Sequence, residues 1–272
     1  MPAVRDFTTV LGGLRFHGLE RGRRGAPPLL LLHGAAQTAH SFDEVAPDLA
    51  RDHHVIALDQ RGHGDTQWAS RYRRDDFTGD IRALLDHLGW DTATLIAMSL
   101  GGLNALAFAA KWPARVRGLV VVDVTPTVAQ PGREAIGKQL AIRDFASFED
   151  AVAQAHAFNP RRTLENIRER LSHSMREGPD GRWGYKFDPG IAAGAEGDLE
   201  RLWTEVARLR CPTLLVRGAE SPILAVEAAE RFTRTVPGSR VAEVAGAGHS
   251  VMGDNPAGFL AAVRPFLARH GL

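Results

Sequence analysis

The chain has a single cysteine, Cys211, among 272 residues. One thiol excludes an intrachain disulfide and any metal site built from several cysteines. Cys211 precedes Pro212 and the apolar run TLLV, which suits a buried thiol at the start of a strand. Long apolar runs are also missing, since no stretch approaches the roughly 18–20 apolar residues that span a bilayer. The first ten residues, MPAVRDFTTV, carry Arg5 and Asp6 and no apolar stretch of signal-peptide length. A soluble cytoplasmic protein with no membrane partner is therefore expected. Charge of one sign is scarce as well: 33 Lys and Arg stand against 32 Asp and Glu, a net charge of +1. No long-range field steers such a chain toward nucleic acid or anionic membranes. The arginine clusters (Arg21, Arg23, Arg24; Arg71, Arg73, Arg74; Arg161, Arg162) are short and interleaved with acids, and read as solvated faces. The histidines show no metal-ligand spacing, and His53 and His54 look exposed, so no metal or cofactor is expected.

What is present is ordinary globular composition, 44% apolar and 24% charged. The length suits one large domain, or a core domain carrying an insertion. FTTVLGGLRFHGLERG reads as two strands around Gly12 and Gly13, a hairpin signal. PLLLLLHG is a continuous apolar run of the kind found in strands buried on both faces. FDEVAPDLARD then has helical spacing and HHVIALDQRG is strand-like. DDFTGDIRALLDHLGW places Phe77, Ile81, Leu84, Leu85 and Leu88 along one helical face. TATLIAMS, LNALAFAAKWP and VRGLVVVDVTP follow as strand, helix and strand.

Such alternation implies right-handed crossovers and a mostly parallel sheet with helices on both faces. It stops near Pro126 and resumes at CPTLLVRGAE. Between them lie helical patterns such as FEDAVAQAHAF and TLENIRERLSHSM, a glycine-rich stretch, and no strand run of comparable strength. The expected organisation is an α/β core from residues 1–126 and 210–272 with a mainly helical insertion at 127–209.

In open parallel sheets, ligands bind outside the carboxyl ends of the strands. The run ending at Leu32 delivers His33, Gly34, Ala35 and Ala36 to that edge. The run ending at Ala97 delivers Met98, Ser99, Leu100, Gly101 and Gly102. LVVVD delivers Asp123, TLLVRG delivers Ala219, Glu220 and Ser221, and the last strand delivers His249. A serine, carboxylates and a histidine thus emerge at one edge of one sheet.

With the motifs LLLLHG, LDQRGHGDT, AMSLGG and GAGHSVMGDNP in this order and spacing, the sequence resembles the α/β-hydrolase fold superfamily. Within it, the chain is similar to serine hydrolases of the carboxylesterase kind with a helical cap domain, and the resemblance covers essentially the whole chain. It implies an eight-stranded, mostly parallel sheet with helices on both faces and a helical cap insertion.

The chemistry of the strand ends agrees with that resemblance. A serine hydroxyl attacks an acyl carbon only when a neighbouring base takes its proton. His249 can be that base, because imidazole titrates near neutrality. A buried carboxylate must then fix the imidazole tautomer and stabilise the imidazolium. Ser99 sits on a tight strand–turn–helix, with Gly101 and Gly102 supplying the small neighbours such a turn needs. Here Ala97 stands where the usual G-x-S-x-G pattern has its first glycine, and its methyl should slightly widen the approach of helix to strand. The backbone N–H of Leu100, at the helix N-terminus, points toward a developing oxyanion. By the family pattern a second N–H comes from Ala35, with His33 shaping the loop. His63, in RGHGD, reads as a turn residue ordering the loop after VIALD.

The acid is the open position. In most of the family it follows the TLLVRG strand, but three and four residues after Gly218 stand Ser221 and Pro222. A minority carries the acid after the strand that follows the elbow helix, where this chain has Asp123. Asp123 is favoured, and Glu220 is the alternative.

Serine at the elbow also excludes the dehalogenase and epoxide hydrolase branches, which place aspartate there. The expected reaction is hydrolysis of small to medium, partly apolar carboxylic esters through an acyl-enzyme on Ser99. Lactone hydrolysis, C–C bond hydrolysis of ring-cleavage products, cofactor-free perhydrolysis and a non-catalytic receptor role are the alternatives. Phe145, Phe148, Phe158, Trp183, Tyr185, Phe187 and Trp203 could line a pocket, although at helical spacing several are expected to be cap core.

Overall fold

The structure is a computed structural model that describes residues 4–141, 144–191 and 199–272. Eight strands form one sheet: β1 (Arg5–Leu11), β2 (Leu14–Arg21), β3 (Pro28–Leu32), β4 (His54–Leu58), β5 (Ala93–Met98), β6 (Val116–Val122), β10 (Thr213–Gly218) and β11 (Arg240–Val244). Their order is β1-β2-β4-β3-β5-β6-β10-β11. β2 runs antiparallel to both β1 and β4, and the remaining neighbours are parallel. Gly12 and Gly13 make the two-residue link between β1 and β2, with φ of +55° and +85°. Both central residues of that turn need positive φ, which glycine adopts at no steric cost.

The helices along the chain are α1 (Ala46–Leu49), α2 (Arg74–His87), α3 (Leu100–Lys111), α4 (Gln130–Ala141), α5 (Phe148–Phe158), α6 (Leu164–Ser174), α7 (Leu199–Val206), α8 (Val226–Thr235), α9 (Val251–Asp254) and α10 (Pro256–His270). The central strands show why this sequence makes a two-faced sheet. Successive side chains on a strand point to opposite faces. Leu30 and Leu32 of β3, Leu95 and Ala97 of β5, and Leu119 and Val121 of β6 join one core cluster with residues of α2, α3, α7 and α8. Their alternates Leu29, Leu31, Ile96, Met98, Val120 and Val122 join a second cluster with α1, α9 and α10. All twelve are buried, so continuous apolar runs replace polar–apolar alternation in these strands.

Between β6 and β10 the chain leaves the sheet. α5 opens with Ser147 accepting a hydrogen bond from Asp150 N–H, and α6 with Thr163 accepting from Asn166 N–H, so each helix starts at a side-chain cap. To the mainly helical pattern expected here the structure adds three short strands. β7 (Asp144–Phe145), β8 (Met175–Glu177) and β9 (Trp183–Tyr185) form a small antiparallel sheet in the order β7-β9-β8. Strands of two or three residues are too short to show an alternating pattern in sequence. Part of the glycine-rich stretch, residues 192–198, lies outside the described residues.

Candidate active site

β5 ends at Met98, and α3 begins at Leu100, so Ser99 alone makes the turn. Its φ of 50° and ψ of −117° lie where side chains rarely go. The turn closes because two glycines follow. A Cβ on Gly101 would sit 2.6 Å from the carbonyl oxygens of Leu32 and His33, and one on Gly102 would sit 2.7 Å from Val124 Cγ1. Without side chains, α3 presses against the end of β3, and Gly101 N–H donates to His33 O at 3.2 Å. Ala97, fully buried, packs in the same cluster as Leu103 and Leu106 of α3.

The loop after β3 is held from several sides. His33 is wholly buried. Its Nδ1–H donates to Gly34 O at 2.7 Å, and its Nε2 accepts from Gln60 N–H at 3.0 Å. These two bonds require the neutral ring, and burial holds the His33 pKa below the ordinary value. Gln60 Nε2 donates to His33 O at 2.6 Å and its Oε1 accepts from Asn104 at 2.9 Å. His63 is also fully buried, edge-on to His33, and burial pushes its pKa down to about 3. Gln37 Oε1 takes the N–H of Gly34 at 3.1 Å. Leu100 is the first residue of α3, where an N–H has no intrahelical acceptor. Ala35 lines the same cavity as Ser99.

Asp123 follows β6 directly and is completely buried. Its Oδ1 accepts from Gly218 N–H at 3.0 Å. Its Oδ2 accepts from His249 Nδ1 at 2.8 Å and, by a short bond, from the Ser221 hydroxyl. Glu220 is placed differently. Its carboxylate is half exposed and held by Arg161 Nε and Nη2 at 2.8 and 2.6 Å. Among the described residues, the non-glycine residues with positive φ are Ala36, Ser99 and Asp123. Sparsely populated backbone conformations of this kind collect where surrounding structure fixes a functional geometry.

Ser99 and His249 line one cavity of about 360 Å³, with Ala35, Phe158, Tyr185 and Arg170 also in its wall. Of the seven aromatics considered above, Phe158 and Tyr185 face it. Phe145, Phe148 and Trp183 pack in a separate cluster, Phe187 packs against Tyr72 and Phe77, and Trp203 lies in the main core. The solvated-face expectation for Arg161 and Arg162 is corrected: both line the cavity, and Arg162 is buried. Arg162 Nε pairs with Asp254 Oδ1 at 2.9 Å, and Asp254 Oδ2 accepts from the N–H of Gly248, the residue before His249. Nothing local in the sequence signals that ion pair, whose partners lie far apart along the chain. Arg170 is likewise a cavity residue that local pattern does not reveal, and Ser221, which the sequence places at a strand end, bonds Asp123 in a way the sequence does not show.

Two trios of side chains outside the cavity bring possible metal ligands within 4.8 Å: His40, Asp43 and His173, and His17, Asp59 and Asp65. Asp59 is engaged by His17 and by the N–H groups of Ala39 and Asp65, and anchors the loop after β4. His40 and His173 stack face to face at 3.5 Å with 6° between planes. His53 and His54 are buried, contrary to expectation, and bond to Leu49 O, Leu272 O and Glu20. Cys211 is half-buried. Among the described residues, no helix is long and apolar enough to cross a membrane.

An α/β sheet carrying a serine at a strained strand–helix elbow, with a His–Asp pair at the same edge, defines a class. The alpha/beta hydrolase fold family model matches residues 27–256, and the chain belongs to this family of hydrolases. The chain is 32% identical over 252 residues to esterase Rv0045c from Mycobacterium tuberculosis, covering 89% of this chain and 83% of that one. The crystal structure of that esterase superposes with a TM-score of 0.82, at 30% identity, over 98% of this chain and 92% of that one. A 3-hydroxybutyrate-oligomer hydrolase from Cupriavidus necator is 31% identical over 84% of each chain. A 2-(acetamidomethylene)succinate hydrolase from Mesorhizobium japonicum is 28% identical over 94% of this chain and 93% of that one.

Proposed function

We propose that the protein is a serine hydrolase of carboxylic esters, with Ser99 as nucleophile, His249 as base and Asp123 as the triad acid. One observation carries the assignment. The buried Asp123 carboxylate holds His249 Nδ1 at 2.8 Å, at the same cavity as the elbow serine. An Nδ1–H bonded to a carboxylate leaves Nε2 as the basic nitrogen, the tautomer needed to accept a hydroxyl proton. Similarity to an esterase and to an oligomer hydrolase supports ester chemistry.

In this mechanism the Ser99 Oγ–H proton passes to His249 Nε2 as Oγ bonds to the acyl carbon. Charge develops on the former carbonyl oxygen, to which the N–H groups of Ala35 and Leu100 donate as an oxyanion hole. Such donors lower the barrier by about 3–4 kcal/mol each. Collapse breaks the ester C–O bond, and the imidazolium gives its proton to the leaving alcohol. Water then repeats the sequence on the acyl-enzyme, losing a proton to His249 and releasing the acid. Residues 1–126 and 210–272 form the catalytic core, and residues 127–209 form a cap that supplies Phe158, Tyr185 and Arg170 to the cavity wall. A cavity of about 360 Å³ suits small to medium, partly apolar substrates.

A fluorophosphonate probe tests this directly: it labels Ser99 in the wild type and not in Ser99→Ala. Absence of labelling sinks the proposal. A second reading is hydrolysis of a ring-cleavage product; the similarity to a 2-(acetamidomethylene)succinate hydrolase supports it only in that this relative is named for a substrate that is not a simple ester. A panel of p-nitrophenyl esters, lactones and a ring-cleavage dienone ranks the two by kcat/KM.

A further inference from the structure

Three guanidinium groups, of Arg161, Arg162 and Arg170, line the cavity. Two of them have carboxylate partners: Arg161 has Glu220, and Arg162 has Asp254. Arg170, on α6, has none among the described residues. Among the described residues its guanidinium makes no ion pair and no hydrogen bond, although it is half-buried in the cavity wall. The acidic groups that feel its charge are committed elsewhere. Asp254 accepts from Arg162, Asn159 and the N–H of Gly248. Glu44 accepts from Asn166, and Tyr185 keeps its proton because burial raises its pKa.

Burial and the nearby Arg162 push the Arg170 pKa down to about 9, still above neutrality, so the group is cationic under ordinary conditions. Even half-buried, the guanidinium loses part of its hydration, and an anion that pairs with it offsets that loss. Its planar fork matches a carboxylate by two parallel hydrogen bonds. Ile167, Leu171 and Phe158 line the same cavity and give its wall an apolar character suited to a short carbon chain.

We propose that Arg170 is an anion anchor and that the preferred substrates are esters bearing a free carboxylate. The inference rests on the serine-hydrolase reading for the ester, but the anion site itself does not.

The test compares p-nitrophenyl hydrogen glutarate, which is anionic, with its neutral methyl ester, which has nearly the same shape. In the wild type, kcat/KM for the anionic ester exceeds that for the neutral one by at least about tenfold, a modest share of what a charge-assisted pair supplies. In Arg170→Gln the ratio falls to about one, and in Arg170→Lys part of it returns. Arg168→Gln, which removes an exposed charge outside the cavity wall, keeps the wild-type ratio. A wild-type ratio at or below one, or a ratio that Arg170→Gln leaves unchanged, overturns the proposal. Calorimetric binding of glutarate reads the anion site without turnover, and Arg170→Gln weakens it about tenfold or more. If glutarate binds in this way while neither ester is cleaved and Ser99 is not labelled, the hydrolase reading fails and the anion anchor stands. If glutarate binds equally to both proteins, the anchor fails.

Discussion

The Ser221 hydroxyl donates to Oδ2 of Asp123, the same oxygen that accepts His249 Nδ1–H. Ser221 stands three residues after Gly218, where most of the family carries its acid. In the proposed triad the carboxylate comes from the end of β6, while the usual position supplies a hydroxyl bonded to it. Gly218 N–H completes the set of donors around Asp123. Asp123→Asn removes the acceptor that fixes the His249 tautomer, and kcat should fall by about 10³–10⁴. Glu220→Gln breaks a half-exposed pair with Arg161 and should change kcat by less than about threefold. Steady-state kinetics on a p-nitrophenyl ester decides the matter. Near-full turnover in Asp123→Asn would remove Asp123 from the triad.

The shared oxygen leads to a second outcome. If Ser221 Oγ lies beside the path from Asp123 to His249, a carboxylate placed at position 221 can reach the same imidazole. Asp123→Asn with Ser221→Asp should recover at least about tenfold of the kcat lost in Asp123→Asn alone. Rescue confined to kcat, with KM unchanged, identifies recovery of the base rather than of binding. A double variant no faster than the single one excludes an exchange of the acid between the two strand ends.

The elements that depend on local chemistry are legible in sequence, and those that depend on distant partners are not. The apolar runs at β3 and β5, the two glycines of the hairpin and the glycines after Ser99 each announce their structure, because each satisfies a nearby steric or burial demand. The Ser221–Asp123 bond joins residues 98 positions apart, and no local pattern reports it. Arg161 and Arg162 read as a solvated pair in sequence, yet Arg162 reaches Asp254, 92 residues away. His53 and His54 look exposed beside Arg51 and Asp52, yet the fold buries both and satisfies them through Leu49, Leu272 and Glu20. Burial of a polar group becomes visible only when the fold brings its partners together.

The Arg162–Asp254 pair carries a stability prediction. The side chains are 4% and 0% exposed, so removing one charge strands the other in a poorly solvated place. Arg162→Met should lower stability by about 3 kcal/mol, seen as a reduced urea midpoint. Combining it with Asp254→Asn should restore part of the loss, since no buried charge is then left unpaired. Because Asp254 also holds Gly248 N–H, both variants should in addition lower kcat through the loop that carries His249. An unchanged urea midpoint in Arg162→Met would show that the pair contributes little to folding.

His17 gives the fold a dependence on alkaline pH that is separate from catalysis. Its Nδ1 bonds Asp59 at 2.7 Å and its Nε2 bonds Asp6 at 3.1 Å, and the pKa rises to about 9. The bond to Asp59 is the main cause, partly opposed by burial and assisted by Asp6. In the unfolded chain a histidine titrates near 6.5. The folded state therefore holds the proton more tightly, and the resulting stability is fully present below about pH 6.5. It is lost as pH rises through about 9, because folding no longer gains by retaining the proton. The melting temperature of the wild type should decline between these values more steeply than that of His17→Gln. Because Asp59 also accepts the N–H groups of Ala39 and Asp65, neutralising His17 should loosen the loop after β4 as well. Hydrogen exchange of those two amides should quicken toward pH 9 in the wild type beyond the ordinary base-catalysed rise. Parallel melting curves for the two proteins across this range would contradict the linkage.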